Sequence, residues 1–371
     1  MDTGLRARQR ARQRERKRRQ RRNLAIFFGS IVLLIVFISI FKSCGAPTSN
    51  EPTVSPEASP EATVTPTPTP APETVDEITA QMSLDEKILQ LMVVDIDKFT
   101  GVENTTLYGA TSQAKVTENP VGGLIYDQGN IESKSQVSIM LQNTQKQYTK
   151  ENFIPVFLGT TETAGDISEF AKTESFDAAY DAGKNIGLGL KGTGFNLNLS
   201  PYIALEQDED SENVASAAAS VGSGMRDGGI IPVYNKFPQE KVLSTTKEAA
   251  LQKELLPFSL VIQGGADAIM LSDRPVFILT GSSAPYLTAS FISETLRGEM
   301  DFDGVIFTPP LTGLTGDTFI SSLLAGCDIL YLPDDYKTAL NSIKNAVASG
   351  ILTEDRITES VRRVLLLKKS L

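Results

Sequence analysis

The 371-residue chain contains no histidine and only two cysteines, Cys44 and Cys327. The first absence removes the commonest general base and metal ligand, and it excludes any Ser-His-Asp or Cys-His device. The second leaves no thiolate cluster, and neither a phosphate loop nor a nucleotide fingerprint occurs. No metal and no cofactor is expected. The side chains left for chemistry are carboxylates and one lysine that follow short apolar runs. Asp127 follows Gly123–Tyr126 and is either a ligand for a hydroxyl group or a turn residue ahead of Gln128-Gly129-Asn130. Glu162 either accepts hydrogen bonds from a ligand or pairs with Lys236. Asp273 is either a ligand residue or the partner of its neighbour Arg274, and Asp335 reads as a helix cap.

These residues take their places from the elements around them. Eight apolar runs are short, rich in Val, Ile, Leu or Phe, and mostly free of charge: 91–94, 123–126, 154–158, 195–199, 229–234, 266–271, 304–307 and 327–332. Such runs read as parallel strands buried on both faces. Amphipathic stretches at 132–149, 210–225, 248–263, 289–299 and 335–349 lie between them and read as helices. Ser83-Leu84-Asp85-Glu86 is a capping box at the first helix. The alternation describes an α/β fold, a (β/α)₈ TIM-type barrel, with a doubly wound open sheet as the alternative. In a barrel the strand ends gather at one mouth, so Asp95, Asp97, Asp127, Glu162, Lys236, Asp273 and the 308–310 segment are expected at one rim.

Three segments precede the barrel. Residues 1–44 carry twelve Lys/Arg against two acids, a net of +10, whereas the whole chain is −10, so residues 45–371 carry −20. Residues 1–23 form a basic tail, followed by the uncharged apolar run Leu24–Phe41, long enough to cross a bilayer as a signal-anchor helix in contact with membrane lipid. The basic flank places the N-terminus in the cytoplasm and the rest outside. A cleaved signal peptide ending near Ser43-Cys44-Gly45-Ala46, or a lipoprotein-type Cys44, is the alternative. Residues 42–75 are rich in Pro, Thr, Ser and Glu and read as a disordered extracellular spacer with polyproline II character. Residues 76–371 are the globular part. Its acidity argues against a nucleic-acid partner.

Five stretches in order carry a family resemblance. They are MSLDEKILQLMVV (82–94), GFNLNLSPYIAL (194–205), ELLPFSLVIQGGADAIMLSD (254–273), LTASFISETLRGEMDFDGVIFTPPL (287–311) and SGILTEDRITESVRRVLLLKK (349–369). Together they resemble the N-terminal barrel domain of family 3 glycoside hydrolases, in particular its compact bacterial β-N-acetylhexosaminidases. The resemblance implies hydrolysis of O-glycosyl bonds by a carboxylate nucleophile and a nearby acid/base group. It places the nucleophile at Pro309, where no carboxylate exists. The family's Lys-His-Phe-Pro reads Asn235-Lys236-Phe237-Pro238 here, and the acid/base loop that follows is shortened and lacks histidine. The family's Asp-Gln-Glu-Gly-Gly reads Thr160-Thr161-Glu162-Thr163-Ala164, and its aspartate after the fourth strand reads Ala204.

The structural motifs are kept while those at the mouth are replaced, so no catalytic residue is assigned. The expectation is a non-catalytic protein with a cell-wall glycan, or a wall or membrane protein, as partner, and with Asp127, Glu162, Lys236 and Asp273 as candidate ligand residues. The alternative is an active β-N-acetylhexosaminidase or β-glycosidase with a rearranged pair, Glu162 with Asp273 or Glu240.

Overall fold

The computed structural model describes residues 74–152, 154–239 and 241–371. The basic tail, the apolar run 24–41, nearly all of the spacer and Glu240 lie outside them. Among the described residues no helix is long and apolar enough to cross a membrane.

Among the described residues nine strand segments form, all paired in parallel. They are β1 (Met92–Asp95), β2 (Gly123–Ile125), β3 (Phe157–Thr160), β4 (Leu197–Asn198), β5 (Ile231–Pro232), β6 (Tyr234–Phe237), β7 (Ala268–Leu271), β8 (Val305–Phe307) and β9 (Leu330–Tyr331). One sheet has the order β5-β4-β3-β2-β1-β9 and the other β6-β7-β8. Single bridges join them, Tyr202 beyond β4 to Asn235 on β6 and Phe307 on β8 to Ile329 just before β9. The arrangement is an α/β fold with parallel strands curved as in a TIM-type barrel. Each expected apolar run overlaps a strand, with β1 and β3 ending one and two residues beyond theirs. The run 229–234 differs by contributing to two, because Val233 separates β5 from β6.

The strands are buried because helices cover them. The capping box at Ser83 forms as read, with Ser83 accepting from the Glu86 N–H and Glu86 accepting from the Ser83 N–H at 2.7 Å. Asp335 caps the helix Tyr336–Ala348 by accepting from the N–H groups of Lys337 and Thr338. The expected helix over 248–263 breaks in two, Lys247–Gln252 and Leu256–Gln263, with Pro257 in the first turn of the second. The stretch 289–299 winds as a π-helix, Phe291–Glu299. Phe176–Thr193 and Ser211–Asp227 approach closely through glycine. A Cβ on Gly183 would lie 2.1 Å from the Val221 carbonyl oxygen, and one on Gly224 2.1 Å from that of Tyr180.

The floor of the barrel is held by Asp328, which is fully buried just before β9. Its carboxylate accepts from Arg297 at 2.8 Å, the Ile306 N–H at 3.0 Å and the Ser360 hydroxyl at 2.5 Å, with Arg363 at 3.3 Å. A buried charge is tolerable only when paired and hydrogen-bonded in this way. The cluster ties β8 and β9 to the C-terminal helix Glu354–Lys368. Among the described residues the buried core runs from Val75 to Leu367.

Candidate functional site

At the C-terminal end of β1, Asp95 is half-buried and caps the short helix Ile96–Thr100, accepting from the N–H groups of Asp97 (2.9 Å) and Lys98 (3.0 Å). Burial raises its pKa, and the charges of Asp97 and Asp127 push the same way against the two N–H donors. Asp97 lies beside it with the opposite balance. Burial pushes its carboxyl up, but the N–H groups of Thr105 and Asn104 and the side chains of Thr105 and Asn130 outweigh this and hold it below its ordinary range. Asp97 thereby fixes the 101–105 loop to the turn after β2. Asp127 is exposed and behaves as a turn residue. Its carboxylate accepts from the Gly129 N–H at 2.7 Å, while its own N–H donates to Asn130 Oδ1 at 2.9 Å.

Glu162 follows β3 with its side chain exposed. Its backbone is fixed from the neighbouring strand. Asn198 on β4 accepts from the Glu162 N–H and donates to the Glu162 carbonyl, both at 2.9 Å. Lys236 on β6 reaches Asp273 just beyond β7, with Nζ 3.4 Å from Oδ1. Asp273, expected beside Arg274 in sequence, thus meets a residue of the adjacent strand. At the end of β8, Thr308 and Pro309 are both buried, and the Thr308 hydroxyl accepts from the Tyr331 N–H at 2.9 Å. The one acid between Phe302 and Thr315 is Asp303, which lies before β8 at the opposite end of the strand.

The segment after β6 is pinned at both ends. Gln239 is buried, accepts from the Leu205 N–H at 2.5 Å and donates to the Lys241 carbonyl at 2.9 Å. Glu254, 2% exposed, accepts from the N–H groups of Leu243 and Ser244 and from the Ser244 hydroxyl at 2.6 Å. Across the rim, Glu209 ties the loop after β4 to the helix Ile167–Lys172, through a very short bond from the Ser168 hydroxyl and an ion pair with Lys172. Sequence reasoning missed Gln239, Glu254 and Glu209, because their partners lie 10 to 41 residues away or on another loop. It also missed the side-chain oxygen of Asn235. This oxygen is buried at the start of the Asn235-Lys236 segment and has no hydrogen-bond partner among the described residues. A buried acceptor left open in this way calls for a donor.

A parallel barrel with polar residues gathered at the strand C-termini is the architecture of many glycoside-cleaving and other enzymes. The family is specific. Residues 83–367 match the glycosyl hydrolase family 3 N-terminal domain, and the chain belongs to that family. It is similar to the β-hexosaminidase LpqI of Mycobacterium tuberculosis, 23% identical over 341 residues that cover 78% of this chain and 84% of that one. Its fold is similar to that of a β-N-acetylglucosaminidase from Paenibacillus, with TM-score 0.71, 23% identity, and 78% and 62% of the two chains covered. It is similar also to a β-N-acetylhexosaminidase from Beutenbergia cavernae, with TM-score 0.66, 19% identity, and 78% and 99% covered. In that relative the barrel is nearly the entire folded chain.

Proposed function

We propose that this chain is a non-catalytic family 3 glycoside-hydrolase-like protein that holds a cell-wall glycan in the mouth of a (β/α)₈ barrel. The reading takes 231–237 as one interrupted strand. It also takes Leu24–Phe41 as a signal anchor, with the N-terminus cytoplasmic and residues 42–75 spacing the barrel away from the membrane.

The observation that carries it is Pro309, buried at the end of β8 where the family resemblance calls for the carboxylate nucleophile. A proline ring cannot attack an anomeric carbon or stabilise charge there. The remaining rim acids support the same reading. Asp127 closes a turn, Asp97 fixes a loop, Asp273 faces Lys236, and Asp334 accepts from the Gly313 N–H. What the rim offers instead to sugar hydroxyl or amide groups are the half-buried Asp95 carboxyl and the exposed Glu162.

Isothermal titration of residues 74–371 with N-acetylglucosamine oligomers and with muropeptides tests the proposal. A saturable heat with either is expected. No heat with any of them would remove the glycan and leave a wall or membrane protein as the occupant of the mouth.

A further inference from the structure

We infer that one arc of the rim, from β3 to β7, holds the glycan, and that Tyr202 and Phe277 stack there on the apolar faces of sugar rings in a chain of β-linked N-acetylhexosamines. The inference rests on the glycan reading above and adds to it the residues that bind and the feature of the sugar that they recognise. The chain has no tryptophan. Of the phenylalanine and tyrosine side chains among the described residues, only Tyr202 and Phe277 are exposed, at 47% and 81%. Both stand beyond the C-terminal end of a strand, β4 for Tyr202 and β7 for Phe277. The fold buries its other rings wholly or partly and leaves two open at the mouth.

The arc is continuous. Asn198 on β4 holds the backbone of Glu162, and Tyr202 beyond β4 bridges to Asn235 on β6. The next residue, Lys236, pairs with Asp273 beyond β7, and Phe277 follows Asp273 at the start of the short helix Phe277–Thr280. Side chains that exchange hydrogen bonds thus alternate with rings: Glu162, Tyr202, the Lys236–Asp273 pair, Phe277. A pyranose ring with equatorial substituents has the same two-part chemistry. Its faces carry axial C–H groups, which pack on the electron-rich face of an aromatic ring, and its edge carries hydroxyl and amide groups. A dry protein surface laid over this arc would strip water from the Lys236–Asp273 pair, a cost that Coulomb attraction repays only when further hydrogen bonds are made. Sugar hydroxyls make those bonds in place of the water, so a glycan suits the arc better than an apolar protein surface does.

The full chain, solubilised in a detergent without a sugar headgroup, is titrated by calorimetry with N-acetylglucosamine and with its β-linked tetramer. The tetramer engages both rings at once and is expected to bind at least about tenfold tighter than the monomer. Tyr202→Leu and Phe277→Leu keep an apolar side chain and lose the flat ring. Each is expected to weaken the tetramer at least about fivefold, whereas Tyr202→Phe and Phe277→Tyr stay within about twofold of the parent. Both positions are exposed, so the leucine variants are expected to melt with the parent. Tetramer binding by the parent that is unchanged in both leucine variants overturns the inference and leaves the glycan reading standing. No tetramer binding by the parent overturns both.

Discussion

Lys236 and Asp273 face each other across adjacent strands at the barrel mouth, 3.4 Å apart, at 29% and 51% side-chain exposure. An ion pair this open to solvent contributes about 0–1 kcal/mol. Asp273→Asn is therefore expected to shift the melting temperature by no more than about 2–4 °C, as read by scanning calorimetry. A larger loss would assign Asp273 a structural role beyond this pair.

Asp95 gives the mouth a pH signature. Its folded pKa is raised, chiefly by burial, so the folded state binds the proton more tightly than the unfolded state. Stability tied to this group is present below the ordinary aspartate value, near 4, and falls as pH rises from there through the raised value. Asn caps helices as well as Asp does. Asp95→Asn should therefore gain stability over the parent at pH 7 and lose that advantage near pH 4. Urea unfolding at the two pH values checks it, and an advantage equal at both would contradict the assignment.

Glu254 holds the segment that follows β6. Glu254→Ala leaves the N–H groups of Leu243 and Ser244 without their acceptor. Leu243 is exposed and Ser244 half-buried, so water replaces part of the lost acceptor and the expected total cost is about 1–3 kcal/mol. Limited proteolysis should show new cleavage within 241–246. A variant with parent stability and no new cleavage would show that the loop is held by other contacts.

The barrel was legible because buried parallel strands write themselves as unbroken apolar runs. Val93 and Val94, Leu124 and Ile125, and Phe157 and Leu158 are all buried, and no polar alternation had to be interpreted. Local chemistry was legible too. The Ser83 and Asp335 caps and the turn at Asp127 each depend on residues within four positions. Interactions between distant segments were not. Whether Lys236 would reach Glu162 or Asp273 depends on where three strand ends project, and the sequence orders strands without fixing that. The clusters around Glu254, Asp328 and Lys368 escaped for the same reason, since a buried charge reads in sequence like any other charged residue until its partners, 10 to 278 residues away, are in place.

The central claim is that this mouth presents no working pair of carboxyls to a glycosidic bond. Turnover of a chromogenic β-N-acetylglucosaminide by residues 74–371 measures it most directly, with Glu162→Gln as the companion variant. The account requires release of chromophore at the rate of buffer alone from both proteins. Release well above buffer by the parent, lost in Glu162→Gln, would show that the chain has rebuilt its chemistry around a different acid.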